Sequence, residues 1–235
     1  MAPKVLVILT SQDKIPKTGQ PTGWYLPEFA HPWHVLHDKV ELTIASPKGG
    51  EAPLDPGSIK TFEKDEISVS FLNNQQALWK NTLRLADIVP RAGEFDAIFY
   101  VGGHGPMFDL VSDPTSLALI QTFASNKRPV AGVCHGSCVF LNATTPSGEP
   151  LIQGAMITGF SNDEENQVGM MEAMPFALET ELNRVSGGNY VKADQPWGAK
   201  VVVSRTHKLG GALITGQNPA SATGVAEELL KALAL

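Results

Sequence analysis

The chain has 235 residues, 43% of them hydrophobic and 18% charged, with a formal net charge of -6. This is an ordinary soluble globular composition, and its acidity, without any run of lysines or arginines, argues against a nucleic-acid surface. No apolar segment approaches the ~20 residues of a membrane span, and nothing in residues 1–235 has the composition of an interdomain linker, a repeat or a low-complexity tract, so one domain is expected.

The N-terminal run Val5-Leu6-Val7-Ile8-Leu9 passes directly into polar Thr10-Ser11-Gln12 with no small-residue cleavage site, so it reads as a buried strand over Lys4 to Thr10 and not as a leader. Ser11 to Gly23 reads as a loop. Trp24 to His37 has helical spacing interrupted by two prolines, Pro27 suiting a first turn and Pro32 a kink. Val40 to Ala45 is expected as the second strand, Pro47 to Asp65 as a loop excursion, and Asn74 to Leu85 as a helix. Phe95 to Val101 is a strong central strand running into Gly102-Gly103-His104-Gly105, with a helix over Ser116 to Ala124 and a further strand over Pro129 to Val133. Beyond these come a short strand within Leu151 to Thr158, a helix over Pro175 to Arg184, and strands at Tyr190 to Ala193, Val201 to Arg205 and Leu213 to Thr215. A final helix starts at Pro219 and ends near Leu233. Alternating strands and helices imply a mostly parallel sheet covered on both faces, an α/β sandwich. In such sheets sites form at the carboxyl ends of strands. The ends after Leu9, Val101 and Val133 should therefore meet.

Gly132-Val133-Cys134-His135-Gly136 is a strand running into a turn within a G-x-C-x-G frame, followed by helix-compatible Ser137 to Leu141. That is the cysteine form of a nucleophile elbow, whose central residue is strained and whose neighbours must be small. Such an elbow places the sulfur at a helix N-terminus, where a thiolate is stabilised. The alternative is a buried cysteine behind a core strand. Cys134 and Cys138 are the only cysteines, and at four residues apart on one turn a disulfide between them is not expected. A reducing cytosol is the simplest setting.

Around the elbow, the His135 N–H is placed to hold an oxyanion, although a histidine directly after the cysteine should not fold its ring back onto the neighbouring sulfur. Gly102 and Gly103 would supply a second donor, the alternative being a plain turn. Glu28 lies in an apolar stretch where a carboxyl pKa would rise, and beside a cysteine it could act as donor or base; the alternative is a solvated helix-face glutamate. His31, His34 and His37 recur every three residues, but that spacing drifts around a helix and Pro32 interrupts it, so no metal site is assigned. Asp163-Glu164-Glu165 reads as a solvated helix start, one of whose members could orient His135. Lys208 to Gly211 reads as a turn, with His207 on the surface before it.

Taken together, several segments resemble the PfpI-like branch of the class I glutamine-amidotransferase-like superfamily, within it the group of heat-shock chaperones and glutathione-independent glyoxalases (glyoxalase III). They are Thr22-Gly23 with Glu28 and His31-Pro32, then Tyr100 to Gly105 with Asp109, and Gly132 to Gly136. Thr158-Gly159-Phe160 with Glu165, Pro196-Trp197, and Thr215 to Ser221 complete the set. The resemblance implies a flavodoxin-like three-layer sandwich, usually a homodimer, with Cys134 as nucleophile, Glu28 as its carboxyl partner, His135 as catalytic histidine and Glu165 as the acid that orients it. It implies conversion of methylglyoxal to lactate without glutathione, metal or other cofactor, through a Cys134 thiohemiacetal and an enediol, in the cytoplasm. Deglycation, peptidase activity and holdase chaperoning of unfolded clients are also attributed to the group. The chain departs from the group at Ser137, where proline is common, at Gly198-Ala199-Lys200-Val201, where acidic residues are frequent, and in the methionine-rich stretch Asn162 to Met171.

Other readings make different demands. An α/β-hydrolase would need its histidine last in chain order, leaving His207. A glutamine amidotransferase would need a glutamate two residues after a late histidine, where His207-Lys208-Leu209 has none. A redox sensor would need an exposed, low-pKa thiolate that oxidises to a sulfinate.

Overall fold

The computed structural model describes residues 2–206, 208 and 210–235. Reading along the chain, β1 (Lys4–Ile8) is followed by α1 (Leu26–Leu36), β2 (Glu41–Ser46), α2 (Pro56–Thr61), α3 (Glu66–Asn74), α4 (Gln76–Lys80), β3 (Leu83–Arg84) and α5 (Leu85–Ile88). The second half contributes β4 (Ala97–Tyr100), α6 (Pro114–Ser125), β5 (Val130–Val133), α7 (Asn162–Gln167), α8 (Leu178–Ser186), β6 (Val201–Ser204), β7 (Leu213–Gly216) and α9 (Ala222–Ala232).

The strands form one seven-stranded sheet in the order β3-β2-β1-β4-β5-β7-β6, parallel throughout except for β6, which runs antiparallel to β7. The central strands are buried on both faces, which is why Val5 to Ile8, Ala97 to Tyr100 and Val130 to Val133 are continuous apolar runs. Helices cover both faces. On one, α9 packs on β5, β6 and β7 and against α1, which in turn packs on α3; on the other, α6 packs on β4 and β5 with α5 beside it. The expected three-layer, flavodoxin-like α/β sandwich is the observed fold.

The registers set Ile8 beside Tyr100 and Tyr100 beside Gly132, so the carboxyl ends of β1, β4 and β5 lie next to one another. Their contributions differ. The end of β1 serves as a tie: Thr10 Oγ1 and the Ser11 N–H both donate to the carboxylate of Asp109, at 2.8 and 2.7 Å. The ends of β4 and β5 carry the groups described below.

Helix α1 accommodates both prolines. Pro27 occupies its first turn, while Pro32 sits inside it and, lacking an N–H, leaves the Glu28 carbonyl without its intrahelical donor. Burial of Leu26, Phe29, Ala30 and Leu36 keeps the helix whole across that gap. Ahead of the helix, Trp24 is fully buried, with its indole N–H donating to the Ala52 carbonyl at 3.2 Å and its rings 5.7 Å from Phe29 and 5.8 Å from Trp79. This aromatic cluster joins the segment carrying Glu28 to α3 and α4. Truncating Trp24 to alanine should destabilise the fold by about 3–5 kcal/mol, measured by urea denaturation, because a void of that size cannot collapse within packed aromatics.

Several expected boundaries move. The stretch from Pro47 to Asp65 is not all loop: Asp55 caps α2 by accepting the Ser58 N–H at 3.0 Å, with Pro56 in its first turn. Instead of one helix over Asn74 to Leu85, α3 begins at Glu66 under an Asp65 cap and stops at Asn74, after two asparagines that favour helix ends. A single turn, α4, follows, and then the two-residue edge strand β3. Neither Leu151 to Thr158 nor Tyr190 to Ala193 forms a strand. Gly154, at φ 79°, turns the first run, and an isolated bridge between Ile157 and Tyr190 is the pairing found there. The runs are apolar because the segment is buried, and burial alone does not make a ladder.

Candidate active site

β5 delivers Cys134 at its carboxyl end in the left-handed region, φ 57°, a conformation that costs a non-glycine residue roughly 1–3 kcal/mol. The elbow's small neighbours are required by space. A Cβ on Gly136 would lie 2.6 Å from the Tyr100 carbonyl oxygen, and one on Gly102 would lie 2.4 Å from Glu28 Oε2 and 2.8 Å from Cys134 Cβ. Gly102 thus lets the end of β4 approach both Glu28 and the cysteine. The segment Cys134–Phe140 is a 3-10 helix and not the α-helix expected, so the sulfur lacks the N-terminus of a regular α-helix. Cys134 and Cys138 are both free thiols and both buried.

The left-handed turn changes what the adjacent histidine can do. The His135 ring does fold back: its Nδ1 lies 3.3 Å from Cys134 Sγ, against the expectation that sequence neighbours could not meet. Because Cys134 has positive φ, the two successive side chains converge on one side of the turn. The other ring nitrogen, Nε2, is 2.5 Å from Glu165 Oε2. Burial pushes the Glu165 carboxyl up, but its interactions with His135 and His104, hydrogen bonds to both among them, outweigh it and hold the group well below its ordinary value. An ionised Glu165 is an acceptor only, so His135 Nε2 carries the hydrogen and Nδ1 presents its lone pair to the thiol. Burial holds the His135 pKa down, although the Glu165 charge opposes this.

Glu165 is therefore buried rather than solvated, at the start of α7, and its second oxygen accepts from His104 Nε2 at 2.8 Å. His104, read from sequence as part of a turn, is a site residue: its ring lies 4.3 Å from that of His135 and lines the same cavity. Glu164 is also buried, with no cation against it. Oε1 accepts from the Trp197 N–H at 2.9 Å, Gln217 Nε2 at 3.0 Å and Asn218 Nδ2 at 2.7 Å, while Oε2 accepts from the N–H and hydroxyl of Ser161. Five donors replace the water that a solvated acid would have had.

Glu28 is fully buried, which removes the helix-face alternative. Neither of its oxygens makes a hydrogen bond of ordinary geometry with a described group. Burial raises its pKa well above the usual carboxylate value, and the nearby Cys134 thiol and Gly102 N–H offset this only in part. Burial likewise pushes the Cys134 thiol up, and negative charge on Glu28 pushes it further. The two acids thus carry at most one negative charge between them. The exposed, freely ionised thiolate that a redox sensor would need is not present: Cys134 is only 4% exposed.

These groups surround a small, partly open cavity of about 50 Å³ whose walls include Glu28, Gly103, His104, Cys134, His135 and Phe160. The His135 N–H lies beside the sulfur, and Gly103 reaches the cavity with φ 97°. Among the described residues, the side chains close enough to share a metal ion are His104, His135 and Glu165, whose ligand atoms lie within 4.8 Å of one another and already hydrogen-bond among themselves. The histidines of α1 form no such group: His31 pairs with Asp65 at 2.5 Å, and His37 stacks on Trp33. His207, the histidine that a hydrolase arrangement would use, lies outside the described residues. No helix among the described residues is long and apolar enough to cross a membrane.

One further measurement follows from Glu165. A carboxyl whose folded pKa is depressed contributes stability above its unfolded value, about 4.3, and loses it as pH falls through the folded value. The difference in urea midpoint between the wild type and Glu165→Gln should therefore be constant from pH 7 to about pH 5 and shrink below about pH 4. A difference independent of pH down to acid unfolding would show that Glu165 is not ionised in the fold.

Comparison with known proteins shows the family to which the chain belongs. The sequence pattern of the DJ-1/PfpI family matches residues 25–168. Glyoxalase 3 of Candida albicans is 30% identical over 238 residues, covering 97% of this chain and 98% of its own. The glutathione-independent glyoxalase HSP31 of Saccharomyces cerevisiae is 29% identical, covering 99% of each. The crystal structure of the Rapid Encystment Protein 24 KDa of Francisella tularensis superposes with a TM-score of 0.88 at 32% identity, covering 98% of this chain and 99% of that one.

Proposed function

The chain belongs to the DJ-1/PfpI family, and from that footing we propose that it is a glutathione-independent glyoxalase converting methylglyoxal to lactate, with Cys134 as nucleophile. The observation that carries the reading is the line Cys134 Sγ to His135 Nδ1 and His135 Nε2 to Glu165, with buried Glu28 also beside the cysteine.

In the resting site Glu28 keeps its proton and donates it toward the sulfur. His135 Nδ1 takes the thiol proton, and Glu165 stabilises the imidazolium that results. The sulfur's electron pair forms a bond to the aldehyde carbon, and the carbonyl pair moves onto oxygen. There the N–H groups of Gly103 and His135 hold the charge until His135 returns the proton. His135, neutral again, removes the remaining hydrogen of that carbon as a proton, and the electrons left behind move onto the ketone oxygen, which takes the proton of the neighbouring hydroxyl. Return of the proton to the adjacent carbon gives a lactoyl thioester. Water then cleaves its carbon–sulfur bond, releasing lactate and the free thiol. The aldehyde carbon is oxidised by two electrons and its neighbour reduced by two, so the sequence requires no redox cofactor.

His104 completes the arrangement by binding the second oxygen of Glu165, which keeps the carboxylate plane facing His135. The proposal takes residues 1–235 as one domain, working as a homodimer in the cytoplasm, with 2-oxoaldehydes as substrates and unfolded client proteins as a second class of partner. The test is a chiral lactate assay on methylglyoxal in the absence of glutathione. Production of one lactate enantiomer supports the reading, and absence of lactate overturns it.

A further inference from the structure

The catalytic cavity is not closed off from the surface. A second hollow of about 660 Å³ adjoins it, and Tyr25, Val168, Trp197 and Pro219 line both. The surface that the larger hollow exposes is mainly apolar, carried by this common rim with Pro27, Phe62 and Ala220, while His31, Thr61, Asn218 and Thr223 add polar groups to its wall. The rim itself leaves apolar surface in water: Val168 is 43% and Trp197 42% exposed.

Trp197 holds an unusual position at this junction. It is one of the non-glycine residues in the left-handed region, at φ 66°, where a bulky side chain is strained. Two anchors keep it there. Its backbone N–H donates to the buried carboxylate of Glu164 at 2.9 Å, and its indole N–H donates to Gln167 Oε1 at 2.6 Å. The ring meets Phe160 edge-on at 5.6 Å, and Phe160 lies 4.5 Å from the ring of His135. On the opposite side, Tyr25 packs edge-on against Phe62 at 5.9 Å. A strained aromatic held at two points between a reacting centre and an apolar hollow is placed as a substrate wall.

We propose that Trp197 is a specificity-determining residue and that the outer hollow is the subsite for the ketone substituent of the substrate, so that the enzyme takes 2-oxoaldehydes bearing alkyl chains longer than methyl. This rests on the glyoxalase reading above. The inner cavity holds little more than the reacting carbons, and a substituent on the ketone carbon leaves it past Trp197 into the hollow. The apolar lining selects for hydrocarbon, since each methylene taken out of water there favours binding.

The experiment compares kcat/KM for methylglyoxal, 2-oxohexanal and 2-oxooctanal in wild type, Trp197→Gly and Gln167→Ala. Glycine suits the left-handed backbone, so the first variant removes the ring while relieving strain; the second frees the indole and leaves the backbone anchor. In the wild type kcat/KM should rise about three- to fourfold per added methylene until the hollow is filled. Trp197→Gly should lose at least tenfold more on 2-oxooctanal than on methylglyoxal, and Gln167→Ala should shift in the same direction by about threefold. A flat or falling series in the wild type, or equal losses on both substrates in Trp197→Gly, overturns the proposal. The glyoxalase reading fails separately, if the wild type turns over none of the series. Binding of unreactive 2-octanone then still tests the hollow: saturable quenching of tryptophan fluorescence that disappears in Trp197→Gly supports the subsite, and no quenching in the wild type overturns it.

Discussion

Replacing Cys134 by alanine should reduce lactate formation from methylglyoxal by at least about 10⁴-fold, to the level of buffer, because every step after substrate entry passes through the carbon–sulfur bond. The variant should fold as the wild type does, since Cys134 sits on a backbone held by β5 and by the close approach of Gly136 to Tyr100, neither of which involves the sulfur. Circular dichroism and a urea curve on the same sample separate chemistry from folding. Turnover retained within tenfold of wild type would remove the sulfur from the mechanism. Cys134→Gly adds a second reading of the elbow. It should be equally inactive, yet more stable than Cys134→Ala by about 1 kcal/mol, because glycine occupies φ 57° without strain. Stability that rises from alanine to glycine at a position in the left-handed region is what a strained backbone there predicts.

The second large effect concerns Glu28. Glu28→Ala should cost about 10³-fold in kcat/KM, whereas Glu28→Gln should cost about 10-fold to 10²-fold, a gap read directly by parallel assays. The order follows from the environment. A fully buried carboxyl with no cation beside it keeps its proton, so its first service to the sulfur is as a donor, and the glutamine amide can provide a donor in the same place. If glutamine were no better than alanine, Glu28 would be acting as an ionised base and the proton assignment would be reversed. The two replacements should also differ in stability. Glutamine retains the volume, while alanine opens a void behind Gly102, whose own approach to Glu28 leaves no room for a Cβ.

Much of this architecture was legible in the sequence, for physical reasons. Strands buried on both faces must be continuous apolar runs, so Val5 to Ile8, Ala97 to Tyr100 and Val130 to Val133 announce themselves. Leu151 to Thr158 misleads for the same reason in reverse, since it is buried without pairing. Within the site, Cys134 stood out as a possible nucleophile between glycines, Glu28 as an acid in an apolar stretch, and Glu165 was picked out of a stretch that reads as a solvated helix start by the family resemblance. Two things were not readable. The His135 ring was expected to miss the sulfur because an ordinary backbone was assumed, and the left-handed cysteine reverses that geometry. His104 was hidden in a glycine-rich turn, its significance set by a carboxylate 61 residues away. Its one available signal was that Gly102-Gly103-His104 follows a central strand in the way that Cys134-His135 follows β5. Glu164 poses the same difficulty: a buried acid satisfied wholly by N–H and hydroxyl donors looks, in sequence, like a solvated one.

The strand order has a consequence for how the protein is made. β5 lies between β4 and β7, and β7 follows β5 in the chain only after α7, α8 and β6. While the polypeptide is still emerging, the strand that presents Cys134 therefore has an open edge, and Glu164 lacks the partners it takes from Gln217 and Asn218. The neighbourhood of Cys134 closes only when β7 inserts between β5 and β6, so that the thiol is sheltered only once the segment through Asn218 has been made and folded.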